Sequence, residues 1–130
     1  MKWILVLGAL FSTTAFAHEL KMGPYVKLQE ALAADDFSAA LKAHEFICTK
    51  DLGHYRDQYP DCDKKFKDIE ELRASFKSLS QVYLESGDKK EMGKYQKASC
   101  PMAKAKWIQR PGKLRNPYYG KSMLECGEKI

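Results

Sequence analysis

Cys100–Gly127 reads CPMAKAKWIQRPGKLRNPYYGKSMLECG, and the fold class turns on it, because the chain before it is dominated by helix-forming residues at helical spacing. Pro101 disfavours a helical Cys100 and bends the path. Pro111-Gly112 and Asn116-Pro117 mark turns, and Tyr118-Tyr119-Gly120 follows the second of them. Trp107 and Ile108 are placed to cover the end of a helical core. Lys121–Cys126 is long enough for one helical turn, which sets Met123 and Cys126 on one side, with Gly127 as the stop. The stretch therefore reads as a loop and a short helix, and the fold class as all-α.

Working back from it, a short helical piece spans Lys89–Ala98 with Met92 and Tyr95 inward. Gly87 ends the clearest amphipathic helix, in which Phe66, Ile69, Leu72, Phe76, Leu79 and Tyr83 step by three or four residues. Thr49–Asp63 loses that periodicity and gathers Gly53, Pro60 and four Asp, so it reads as a loop or frayed helix end followed by a turn. Before it, Phe37, Ala40, Leu41, His44, Ile47 and Cys48 share a face of a helix that Asp36 caps. A first helix starts at Pro24 and carries Tyr25, Leu28, Ala31 and Leu32; Asp35-Asp36 separates the two, giving a tight hairpin. The sum is an up-and-down bundle of about four helices with a C-terminal loop and short helix packed across it.

Met1–Ala17 has the layout of a secretory signal: Lys2, an apolar run from Trp3 to Phe11, and Ala15-Phe16-Ala17 as a small-x-small cleavage site. The apolar run is too short to span a bilayer. The expectation is a periplasmic or otherwise secreted chain, His18–Ile130, forming one domain with no membrane insertion after cleavage; residue 18 is His, not the Cys of a lipid anchor. The formal charge of +5 falls by one when Lys2 leaves, and the cations are spread along the chain, so no basic face points to nucleic acid.

All 4 cysteines lie after the leader, and in an oxidising compartment an even number most often forms a disulfide framework. Four cysteines allow three pairings. Cys48 with Cys62 and Cys100 with Cys126 is the simplest by order along the chain, though spacing alone does not decide it. The first bond would close a loop of about 15 residues and contribute about 3 kcal/mol in the chain-entropy model.

The run C-P-M-A at Cys100–Ala103, the nearby Trp107, and then R-N-P-Y-Y-G-x-x-M-L-x-C-G at Arg115–Gly127 resemble the C-terminal signature of a periplasmic helical domain of unassigned function. That domain occurs alone or joined to periplasmic adaptor subunits of copper, silver and other heavy-metal efflux systems. Ala31–Ala40 is similar to the same family's first helical hairpin. The resemblance implies an all-helical domain associated with metal handling, with a metal-efflux adaptor as partner. It departs from the pattern at Ala98-Ser99, where many relatives carry His or Gln, so no ligand is carried over to those positions.

The chemistry of the sulfur pairs stands beside that resemblance. Thiolate and thioether sulfur are soft donors that select Cu(I), with Ag(I) as the neighbouring case, over hard cations. Cys100, Met102, Met123 and Cys126 together could supply three or four of them. The structural alternative is a Cys100–Cys126 disulfide with Met102 and Met123 as core filler. A second functional class is a disulfide-stapled interaction module that presents Trp107, Arg115, Asn116, Tyr118 and Tyr119 to another protein, since aromatic and Arg residues are enriched in such contacts.

His44, on the apolar side of its helix, reads as a packed core residue and His54 as a solvated one. His18 would chelate Cu(II) only as a new N-terminus. C-x-x-C, C-x-x-C-H, H-E-x-x-H and G-x-S-x-G are all missing from the sequence, so the chain reads as a non-enzyme.

Overall fold

The computed structural model describes residues 20–130; the expected leader Met1–Ala17 and His18 lie outside them. Helix α1, Met22–Ala33, buries Tyr25, Val26, Leu28 and Leu32. It gives way to α2, Phe37–Phe46, through a corner in which Asp35 takes a left-handed φ of 56°, a conformation that Asp tolerates better than most residues. Asp36 caps α2 by accepting from Ala39 N at 3.0 Å, so the tight hairpin expected at Asp35-Asp36 is present.

Past Phe46 the helix widens into a π-helical turn, Ile47–Asp51, and two 3₁₀ turns follow at Gly53–Gln58 and Pro60–Asp63. These turns return Cys62 to Cys48, and the two form a disulfide with Cα atoms 5.6 Å apart. Helix α3, Ile69–Ser86, is the long amphipathic element. It starts later than the spacing of Phe66 implies because Asp68 is extended and caps it, accepting from Glu71 N at 2.9 Å while Glu71 Oε2 accepts from Lys67 N at 2.8 Å. The first bond satisfies an amide that the first turn leaves open, and the second pins the residue before the cap. Gly87 ends the helix, and a Cβ there would lie 2.6 Å from both Met22 Cε and Tyr83 O.

Beyond the single turn α4, Lys89–Met92, the structure overturns the all-α expectation. Gln96–Cys100 is strand β1, not the end of a helix, and Ala105–Gln109 within the quoted stretch is strand β2. The two pair antiparallel, Ala98 opposite Trp107 and Cys100 opposite Ala105. The C-terminal Glu128–Lys129 adds β3 on the other edge of β1, so the order is β2-β1-β3. The fold is a mixed one, helices packed with a three-stranded antiparallel sheet, and not a four-helix bundle. The expected short helix at Lys121–Cys126 is instead a 3₁₀ turn, Gly120–Met123.

The physical reason is tertiary. QKASC and AKWIQ are short and rich in Ala, Lys and Gln, which have no strand preference of their own. What holds them is the cross-strand fit of the large Trp107 over the small Ala98 and the seating of β2 on the helices, where Ile108 N donates to Tyr25 Oη at 3.2 Å. Pro101–Lys104 closes the hairpin, with Lys104 at φ 52° donating its N–H to Pro101 O at 3.2 Å. Trp107, Tyr25, Tyr83 and Phe76 form the aromatic centre of one continuous core. Among the described residues no helix is long and apolar enough to cross a membrane.

Candidate functional site

The sheet gathers the two unpaired cysteines at one end. β3 runs antiparallel to β1 with Glu128 opposite Ser99, and the next residue, Gly127, sits so close to β1 that a Cβ on it would lie 2.7 Å from Ser99 O. Continued by one residue, that register sets Cys100 opposite Gly127, the chain neighbour of Cys126. Both carry free thiols, Cys100 buried and Cys126 half-buried; the second disulfide of the simplest pairing is not formed. Met123 belongs to the same turn as Cys126, whose N–H donates to Met123 O at 3.2 Å. Met102 stands apart at the tip of the hairpin and is 64% exposed. Among the described residues no three His, Cys, Asp or Glu side chains converge as a metal cluster.

Cys100 also lines a cleft of about 290 Å³ between α3 and the hairpin, together with Lys77, Lys104 and Lys106 and with no carboxylate in its wall. Lys77 Nζ donates to Ala103 O at 3.2 Å, which ties the hairpin tip to α3. These three lysines were not singled out by the sequence. Their spacing of 27 residues or more between helix and hairpin becomes proximity only once β1 and β2 pair.

The residues read as an interaction surface are mostly interior. Trp107 and Asn116 are fully buried and Tyr118 nearly so; Arg115 is exposed and Tyr119 half-buried. Asn116 works as a staple. Its Nδ2 donates to Cys126 O at 2.7 Å, its N–H to Leu124 O at 2.7 Å, and its Oδ1 accepts from Tyr118 N at 2.8 Å. It therefore fixes the turn that presents Cys126. Tyr118 Oη donates to Lys106 O at 2.6 Å, and burial pushes its phenol well above the ordinary range, with the Cys100 thiol adding to that rise and the Ser80 hydrogen bond opposing it. Gly120 at φ 60° lies against Asp35 and Arg73, so close that a Cβ would fall 2.1 Å from Asp35 Oδ1. Much of N-P-Y-Y-G is thus accounted for by folding.

A second polar cluster surrounds the disulfide. His44 Nε2 shares a hydrogen bond of 2.7 Å with Tyr59 Oη, Tyr59 Oη pairs with Ser75 Oγ, and Ser75 Oγ donates to Asp61 Oδ2 at 2.8 Å. His44 Nε2 is 3.9 Å from Cys48 Sγ, and its ring meets Phe66 edge-on. His44 is the core residue its helical face implies. Burial holds its pKa below the ordinary value, against a smaller upward pull from Asp61. The unfolded chain therefore takes up the His44 proton first as pH falls, so stability is full above about pH 6.5 and declines from there down through the folded-state value. Urea midpoints between pH 7.5 and 5 should fall for the wild type and lose that part of the dependence in His44→Gln; an unchanged slope would contradict the assignment.

Comparison of the chain with protein-family models, with curated proteins and with solved structures finds no match.

Proposed function

We propose that the protein is an exported, non-enzymatic soft-metal carrier that takes Cu(I), or Ag(I), at Cys100 and Cys126 for periplasmic buffering or for transfer to a metal-efflux adaptor. The observation that supports the reading is the β1 and β3 register, which brings the segment leaving Cys126 alongside the end of β1 that carries Cys100, both cysteines being free. Two thiolates are a soft donor pair suited to Cu(I). Met123, in the turn of Cys126, is the third donor, and Met102, exposed on the hairpin tip, is the ligand through which the ion is handed in or out. A Cu(I) ion held by two thiolates carries a net charge of −1, and Lys77, Lys104 and Lys106 supply the opposite charge around Cys100. The resemblance of Cys100–Gly127 to the signature of the efflux-associated periplasmic domain supports the same reading.

Metal uptake requires the reduced thiols, because a disulfide offers no thiolate. Titrating Cu(I) into the reduced protein against a chromophoric chelator should show one tightly held ion per chain. Cys100→Ser with Cys126→Ser should weaken it by at least about 100-fold, beyond the loss expected for an outer-shell partner, and Met123→Leu by about tenfold. Failure of the reduced wild type to compete, or unchanged affinity in the double variant, would sink the proposal.

A further inference from the structure

The α1 and α2 hairpin leaves an open groove that the metal reading does not use. It has a volume of about 810 Å³ and is floored by Pro24, Ala34, Ala39, Ala43 and Phe46. Phe46 is 53% exposed, one of three large apolar side chains left in solvent among the described residues. The helices are antiparallel, so the start of α1 lies beside the end of α2. The groove accordingly follows α1 from Gly23 to Ala34, a length of ~16 Å at helical rise, or about three turns of a docked helix.

Its rim carries three cations against two carboxylates. Lys27 from α1, Lys42 from α2 and Arg115 from the C-terminal segment line it, and none of their side chains enters an ion pair among the described residues. The two rim carboxylates are already committed: Glu30 accepts from Arg110 Nε at 2.6 Å, and Asp36 caps α2. What is left is an apolar floor between unanswered cations on both banks. A complementary surface must bring apolar anchors on one face and carboxylates on both of its edges.

We infer that this groove docks an acidic amphipathic helix of a partner protein, about three turns long, whose apolar stripe packs on Phe46 and the Ala floor while Glu or Asp on its flanks meet Lys27, Lys42 and Arg115. Phe46 is the anchor and the cations set the partner's charge. The small floor side chains let the incoming helix approach α1 and α2 at the short end of the ordinary interaxial range.

The test uses two synthetic helical peptides with identical Leu anchors, one flanked by Glu and the other by Lys, titrated into the exported chain by fluorescence anisotropy. The Glu peptide should bind at least about tenfold more tightly, with the difference shrinking as salt rises. Phe46→Ser should weaken it by at least about tenfold, and Lys27→Glu with Lys42→Glu should reverse the preference. All three positions are exposed, so helix content by circular dichroism should hold. Equal binding of the two peptides, or binding of neither, would overturn the inference. So would a self-associating wild type whose dimer is lost in Phe46→Ser, which would assign the groove to a second copy.

Discussion

Replacing Arg73 with Met lowers the unfolding free energy by about 2 to 4 kcal/mol, the sum of the hydrogen bonds that one buried guanidinium makes to carbonyl and carboxylate acceptors. Arg73 is 5% exposed on the inner face of α3. Its Nε donates to Pro117 O at 2.9 Å and its Nη2 to Leu32 O at 2.7 Å and Asp35 Oδ1 at 2.5 Å. One guanidinium thus joins the end of α1, the α1 to α2 corner and the Asn116-Pro117 turn. Its pair with Glu70, 71% exposed, is the minor part. Methionine keeps the apolar stem but leaves Pro117 O without its donor, at about 1 to 3 kcal/mol when buried, and takes one of two donors from Leu32 O, which still accepts from Asp35 N at 3.2 Å. Lysine should recover little, since one ammonium cannot span three acceptors set apart in a fork. Urea unfolding measures the loss, and a change below about 1 kcal/mol would contradict the role.

The same variant alters the acid limb. The Arg73 hydrogen bond, with Lys121 N as a second donor, holds the Asp35 carboxyl below its usual range. A depressed carboxyl contributes stability above its unfolded pKa of about 3.9, and loses it as pH falls through the folded value. Arg73→Met should therefore flatten the stability profile below about pH 4, while leaving the His44 step near pH 6.5 in place.

The helices were legible because their signals are local. Asp36 and Gly87 bound them where the pattern places them, and Leu72, Phe76, Leu79 and Tyr83 face inward as their spacing requires. The sheet was not, because β1 and β2 carry a weak alternation whose meaning depends on Tyr25, 83 residues away, accepting the Ile108 amide. The sulfur residues were identified individually. Their arrangement was hidden, since the Cys126–Gly127 segment is brought to the end of β1 by a β3 pairing of only two residues near the C-terminus. Arg73 illustrates the remaining blind spot. A charge on the apolar side of α3 has no local signature separating a solvated residue from a buried staple, and the acceptors that decide it come from two other segments.

Trp107→Ala should be at least as costly, about 3 to 5 kcal/mol for emptying a fully buried indole site, and its consequence reaches the candidate metal site. The ring packs edge-on to Tyr118 with centroids 6.2 Å apart, and its Nε1 donates to Gln109 Oε1 at 2.9 Å. It also abuts Gly127, where an added Cβ would sit 2.9 Å from Trp107 Cη2. The indole is thus the surface on which the chain turns from Cys126 into β3. Without it, the short pairing of β3 to β1 loses its backing, and the Ile130 amide that donates to Lys97 O at 3.1 Å should exchange faster with solvent. Cu(I) affinity at the proposed site should drop in parallel even though no sulfur has been removed, because the segment that carries Cys126 is no longer held against β1. Trp107→Phe, which keeps most of the buried ring, should retain most of both. Were Trp107 a docking residue, Trp107→Ala would leave the urea midpoint and the Ile130 exchange rate at wild-type values while abolishing a protein contact.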